Sequence, residues 1–176
     1  MALEFGTICV VYEKLPITET IYPVVNFSTA SLSAGDITVK ISNTGYAGKT
    51  DGTTINHSSQ ITIIPAPGYI IKSVTLSSPS EDKALGLAYL TGAEDLQVTK
   101  DTLSFNITGF KAGKTYAFGN KTTAFWYVKS ITIEYEEHEH SGVYVPGSDD
   151  THHFKQCECL WRVDEEEHTF GEGEVT

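Results

Sequence analysis

Apolar and polar side chains alternate one by one through most of this chain. In Ile37-Thr38-Val39-Lys40-Ile41-Ser42, and again in Leu103-Ser104-Phe105-Asn106-Ile107-Thr108, the apolar members fall on one face of an extended backbone and the polar members on the other. Short runs rich in Val, Ile, Thr, Tyr and Phe, divided by Gly, Asn, Asp, Ser and Pro, predict strands over residues 7–12, 21–27, 37–42, 60–64, 69–77, 102–108, 115–118 and 124–135. Pro65, Pro67 and Gly68 mark a hairpin-like corner between two of them. Residues 43–58 read as one long structureless loop, and residues 85–96 hold at most a short helical turn. A period of two means half-buried antiparallel strands with one solvated face. Many such strands at regular spacing predict an all-β chain: an antiparallel, jelly-roll-like β-sandwich with a small, β-rich C-terminal appendage that contains His and Cys.

Charge divides the chain where the alternation stops. Residues 1–133 hold ten acids and ten lysines, whereas residues 134–176 hold thirteen acids against Lys155 and Arg162, the whole of the net charge of -11. The acidic stretch also carries His138, His140, His152, His153 and His168, five of the six histidines, together with Cys157 and Cys159. The predicted organisation is therefore a sandwich over residues 15–136 and an acidic His/Cys module over 137–176. Residues 1–14 form an N-terminal strand: Cys9-Val10-Val11-Tyr12-Glu13 echoes Thr132-Ile133-Glu134-Tyr135-Glu136, either as the close of a preceding repeat or as coincidence among strand formers. An acidic chain lacks the basic footprint that nucleic acid requires. No apolar run is long enough for membrane insertion.

The block Ile61-Thr62-Ile63-Ile64 with Gly68-Tyr69-Ile70-Ile71-Lys72-Ser73-Val74-Thr75-Leu76, closed by Tyr127-Val128-Lys129-Ser130-Ile131-Thr132-Ile133-Glu134-Tyr135, resembles β-sandwich modules of large secreted and cell-surface proteins of gut bacteria. The tail resembles short His/Cys repeats of the same proteins, through His140 and Tyr144, Asp150-Thr151-His152, Cys157-Glu158-Cys159 and His168-Thr169-Phe170. It departs from them in placing one residue between the cysteines and Leu160-Trp161 where glycine is usual. The resemblance implies a non-catalytic module at the bacterial cell surface, extracellular, joined to other domains of a larger chain.

Two kinds of site are expected. Tyr46, Asp51, Tyr89 and Trp126 are candidates for binding a glycan or host surface polymer, since sugars stack their apolar face on aromatic rings and hydrogen-bond through their rim. His140, His152, His153, Cys157, Cys159 and His168 are candidates for zinc, which takes four thiolate and imidazole ligands; a zinc ion would also stabilise a segment with too little apolar content for its own core. Alternatively Cys157 and Cys159 form a bridge. Cys9, alone in an apolar run, reads as an inert thiol. The chain carries no G-x-S-x-G, P-loop or HExxH pattern, and Glu136-Glu137 and residues 164–167 read as solvated charge, so a non-catalytic function is expected. The rivals to adhesion are a structural spacer that projects other domains, and a zinc-stabilised module.

Overall fold

In the computed structural model the chain is described over residues 14–22, 29–42, 47–48, 52–55, 59–81, 90–120, 126–140 and 144–168; at 29, 30, 47, 48, 52, 53, 55, 90, 91, 120 and 126 the description extends to the backbone only. The strands are β1 (Ile17–Ile21), β2 (Thr29–Ala34), β3 (Ile37–Ser42), β4 (Ala47–Gly48), β5 (Gly52–Ile55), β6 (Gln60–Pro65), β7 (Tyr69–Ser77), β8 (Leu90–Thr91), β9 (Gln97–Lys100), β10 (Ser104–Thr108), β11 (Tyr116–Asn120), β12 (Trp126–Val128), β13 (Ser130–Glu137), β14 (Val145–Ser148), β15 (His152–Gln156) and β16 (Arg162–Glu167). Every pairing among the described residues is antiparallel. No α-helix occurs among the described residues, and none there is long and apolar enough to cross a membrane.

Two five-stranded sheets, ordered β1-β13-β7-β10-β9 and β2-β3-β6-β11-β8, face each other across one core. The alternation explains why. In β3, Ile37, Val39 and Ile41 are buried while Lys40 is exposed; in β13, Ile131, Ile133 and Tyr135 point inward. They meet Ile61, Ile63, Val74, Leu76, Phe105, Ile107 and Phe118 between the sheets. The sequence therefore folds as an all-β, sandwich-like structure.

Three expectations change in detail. The stretch 43–58 is not one featureless loop: β4 and β5 pair there, and β5 pairs in turn with β12 to form a three-stranded sheet β12-β5-β4. The strand expected over 124–135 breaks at Lys129, whose N–H donates to the Ser77 carbonyl. The corner at Pro65 to Gly68 is no hairpin, because β6 and β7 belong to opposite sheets and the chain arches across the core. A strand precedes the one expected over 21–27: β1 ends at Ile21, Tyr22 is not in a strand, and residues 23–28 lie outside the described residues, as does the strand expected over 7–12.

One bulge sets the core-facing pattern near the site. The register against β13 slips between Glu134 and Tyr135, so that Lys72 of β7 has no partner. The extra residue lets Ile71 and Val74 both face inward although three positions separate them. Ser73 then donates to the Glu134 carboxylate at 2.8 Å.

The registers give the sandwich two distinct ends. Ile37 opposite Pro65, Tyr69 opposite Glu137, Tyr135 opposite Ile17, and the β10–β11 connection all lie at one end. Ser42, Gln60, Ser77, Asn120 and Trp126 lie at the other. The tail's own sheet, β14-β15-β16, docks on the first. Inside it Phe154 is buried, the Arg162 guanidinium lies 3.8 Å over the Phe154 ring, and Arg162 pairs with Asp149 at 2.6 Å.

Candidate metal centre at the sandwich end

Beyond Glu137 the chain keeps its two-residue alternation, so His138 and His140 turn to the same side while Glu139 points to solvent. The His138 N–H donates to the Gly68 carbonyl at 2.7 Å, which extends the β13–β7 pairing by one step. The opposite arm comes from the β15–β16 turn, Cys157-Glu158-Cys159-Leu160. Cys157 N–H donates to the Trp161 carbonyl and Leu160 N–H to the Cys157 carbonyl, both at 3.0 Å, so both cysteines are held by backbone. Leu160 is left with φ of 68°, a left-handed position that glycine ordinarily takes.

Two glycines make the docking possible. Gly68, with φ of 92°, accepts from His138 and donates to the Cys159 carbonyl at 3.2 Å, so one residue ties both arms to the sandwich. A Cβ there would stand 3.1 Å from the Trp161 ring. Gly113, with φ of 64°, sits under the turn, and a Cβ there would overlap the Glu158 carbonyl oxygen. Gly113→Ala therefore forces a left-handed alanine, costing about 1–2 kcal/mol, and pushes the turn off its seat. Its amide exchange is expected to speed up across the hairpin while that of β3, β6 and β13 stays unchanged.

The two arms bring four side chains together. Cys157 and Cys159 are 3 % and 1 % exposed and are bonded to each other. His140 Nδ1 lies 3.5 Å from each sulfur. The ligand atoms of His138, Cys157 and Cys159 all lie within 4.8 Å of one another, and the two imidazoles meet edge to face at 5.7 Å. Trp161 stacks on the outer side of His140 with ring centroids 5.3 Å apart. Glu158 Oε1 lies 3.7 Å from His138 Nε2.

His138, Cys157 and Cys159 can hold a metal ion. The two sulfurs do so only when reduced, since the thiolate and not the disulfide is the ligand.

Of the residues the sequence proposes for metal, the structure gathers His140, Cys157 and Cys159. His152, His153 and His168 lie at the far end of the hairpin, four or more residues of extended strand, or about 13 Å, from Cys157. There His153 and His168 stack at 4.3 Å and Thr151 Oγ1 meets His152 Nδ1 at 2.8 Å. The sequence reading left His138 out of the set. Its spacing from His140 across Glu139 puts the two imidazoles on one side of extended chain, but that spacing alone does not bring them to the cysteines. Tyr46, Asp51 and Tyr89 lie outside the described residues, as do His57 and Cys9; Trp126 belongs to β12 by its backbone alone.

The hairpin's outer turn is fixed by charge. Asp149 Oδ1 accepts from the Thr151 and His152 N–H groups and from the Thr151 hydroxyl, and Oδ2 pairs with Arg162. These bonds, Thr151 N–H first and then the guanidinium, hold its carboxyl far below the ordinary value of 3.8. A depressed native value stabilises the fold above pH 3.8, and that stability is lost as pH falls through the native value. Loss of protection of the Thr151 and His152 amides in strong acid, measured against the intrinsic exchange rate at each pH, with Asp149→Asn already unprotected at neutral pH, is the expected result.

The chain matches no known protein family, no curated protein and no solved structure.

Proposed function

We propose that the protein is a non-catalytic, extracellular binding module of a bacterial surface protein, with a zinc-stabilised turn at its attached end and a glycan as its ligand. One contact carries this reading: Lys14 and Glu137 form an ion pair, so the chain enters and leaves the sandwich side by side. A strut built into a line of domains would take the chain in at one end and out at the other. Here the described entry and exit of the chain lie at the same end of the sandwich. Ser42, Gly52, Leu90 and the Trp126 backbone, which flank or carry the candidate residues Tyr46, Asp51, Tyr89 and Trp126, belong to the opposite end. Adhesion then follows from display: weak modules repeated on one chain gain avidity.

Zinc is favoured by the spacing of the donors. In a tetrahedral site with Zn–S of about 2.3 Å and Zn–N of about 2.05 Å, sulfur and nitrogen ligands stand about 3.6 Å apart. His140 Nδ1 lies 3.5 Å from both sulfurs. The acidic surroundings favour a cation.

A glycan array probed with the full chain tests the binding reading. Binding to a defined polysaccharide or mucin glycan that Trp126→Ala and Tyr46→Ala reduce at least tenfold is the expected result. Silence across the array returns the module to a spacer.

A further inference from the structure

We infer that Cys157 and Cys159 switch the His/Cys cluster between two linkages: a zinc thiolate pair that ties the hairpin to the sandwich, and a disulfide that closes only the turn. This rests on the zinc reading above and goes beyond it to the regulation of the site.

Sequence separation makes the two states mechanically different. The disulfide joins residues two positions apart, both inside the β15–β16 turn. A metal joins Cys157 and Cys159 to His140, 17 and 19 positions earlier, on the extension of β13. Only the second linkage spans two sheets. In the disulfide state the hairpin rests on the Gly68–Cys159 hydrogen bond, the contacts at Gly68 and Gly113, the Trp161–His140 stack and the Glu158–His138 contact, none of them a covalent or metal link.

Little has to move between the two. The backbone bonds of Cys157, Leu160 and Gly68 do not involve the sulfurs, and the two Cα atoms stand 5.4 Å apart. A tetrahedral zinc site sets two sulfurs about 3.8 Å apart, against about 2.05 Å in a disulfide. Side-chain rotation covers that difference. His140 lies equally close to both sulfurs and is already in place for either state.

The conversion balances with a small-molecule disulfide as the oxidant. The thiolate of one cysteine attacks the reagent, forming a mixed disulfide and releasing one thiolate. The second cysteine attacks the protein sulfur of that mixed disulfide, closing Cys157–Cys159 and releasing the other thiolate. The protein's two thiolates have lost two electrons and the reagent has gained them. Zinc loses both anionic ligands, exchanges the imidazoles for water, and leaves as Zn²⁺. A reductant of the phosphine class reverses the protein half-reaction, taking up an oxygen from water as its oxide. The two cysteines are buried, and beside them Leu160 and Trp161 line a cleft of about 480 Å³ with Pro67 and Gln156, so the reagent reaches the sulfurs only when the turn opens.

The test uses the full chain in a Cys9→Ser background, so that only the two clasp thiols report. The protein is reduced with a phosphine, loaded with zinc chloride, freed of excess metal and then treated with oxidised glutathione. Zinc released is read with a colorimetric chelator, disulfide by intact mass, and docking by amide exchange of β14–β16. The expected result is one zinc per chain, released in step with the loss of two hydrogens from the protein, with exchange in the hairpin rising at least tenfold while that in β3 and β13 holds. A reduced chain that retains less than a tenth of a zinc overturns the zinc reading itself. A chain that binds zinc but keeps it as the disulfide forms, or releases it with no change in hairpin exchange, overturns the switch and leaves the zinc reading standing. The Cys157→Ser/Cys159→Ser double variant is expected to lose zinc binding and to show the fast hairpin exchange throughout; full zinc retention by it also overturns the switch.

Discussion

Zinc added to the reduced protein is expected to raise the stability of the docked hairpin by about 4 kcal/mol at a free-metal concentration a thousandfold above the dissociation constant. The ligands explain why the effect is local. His138 and His140 extend β13, whose core side chains Ile131, Ile133 and Tyr135 are already buried without the metal. Cys157 and Cys159 belong to the turn of a three-stranded sheet with Phe154 as its one large buried ring. A metal bridging the two transfers the rigidity of the sandwich to the weaker sheet. Hydrogen exchange followed by mass spectrometry checks this: protection should increase across β14, β15 and β16 on metal addition and fall again with a chelator, while β3, β6 and β7 keep theirs. An equal rise everywhere would mean that the metal binds elsewhere, and no rise would remove the zinc-stabilised turn.

Much of the fold was legible in the sequence where runs of strand formers stand between turn residues, although β2 and β9 fall where no strand is expected. β3 and β7 span the residues that the pattern of apolar positions predicts, and β6, β10 and β11 differ from prediction by one or two residues at their ends. Alternation fails as a guide where backbone irregularity intervenes. Ile71 and Val74 both face the core only because Lys72 bulges out of register, which a two-residue period cannot represent. β4 and β5 are short and polar, with Gly48 opposite Gly52, so they read as loop until β12 is there to pair with them. The candidate site divides along the same line. Cys157 and Cys159 draw notice by chemistry alone, but choosing His138 and His140 over His152, His153 and His168 depends on Gly68, which binds backbone from both arms. That choice is a tertiary fact, and no spacing within the tail contains it.

The two parts of the molecule also differ in what their substitutions should do. At Gly35 the backbone has φ of 53° and lies against the hydroxyl of Tyr135, which accepts from the Asp36 N–H at 3.3 Å; close packing therefore reaches to the end of the sandwich where the tail docks. Changes confined to the turn, such as Gly113→Ala, act on docking alone, because few of the turn's contacts enter the core. Changes between the sheets act on everything.

Phe118→Ala is expected to cost about 3–5 kcal/mol, the range for removing a fully buried phenyl ring from a core. Phe118 has no exposed surface, pairs in register with Ile61 on the neighbouring strand β6, and meets the Phe110 ring edge to face at 6.3 Å. It faces the opposite sheet, so its removal leaves a void bordered by both layers rather than a dent that one strand can close. A domain stable by about 5–15 kcal/mol loses a large share of that margin, and the melting temperature should fall by about 10–20 °C. Phe118→Leu, which keeps most of the apolar volume, should lose clearly less, since hydrophobic replacements near the original volume are better tolerated. Zinc stoichiometry of the reduced chain should be unchanged below the new melting point, as the ligands do not touch the ring. Thermal denaturation followed by circular dichroism reads the difference directly. A loss of only a degree or two for Phe118→Ala would mean that this ring is not enclosed between two sheets, and the stacked arrangement from which both ends of the molecule take their meaning would fall with it.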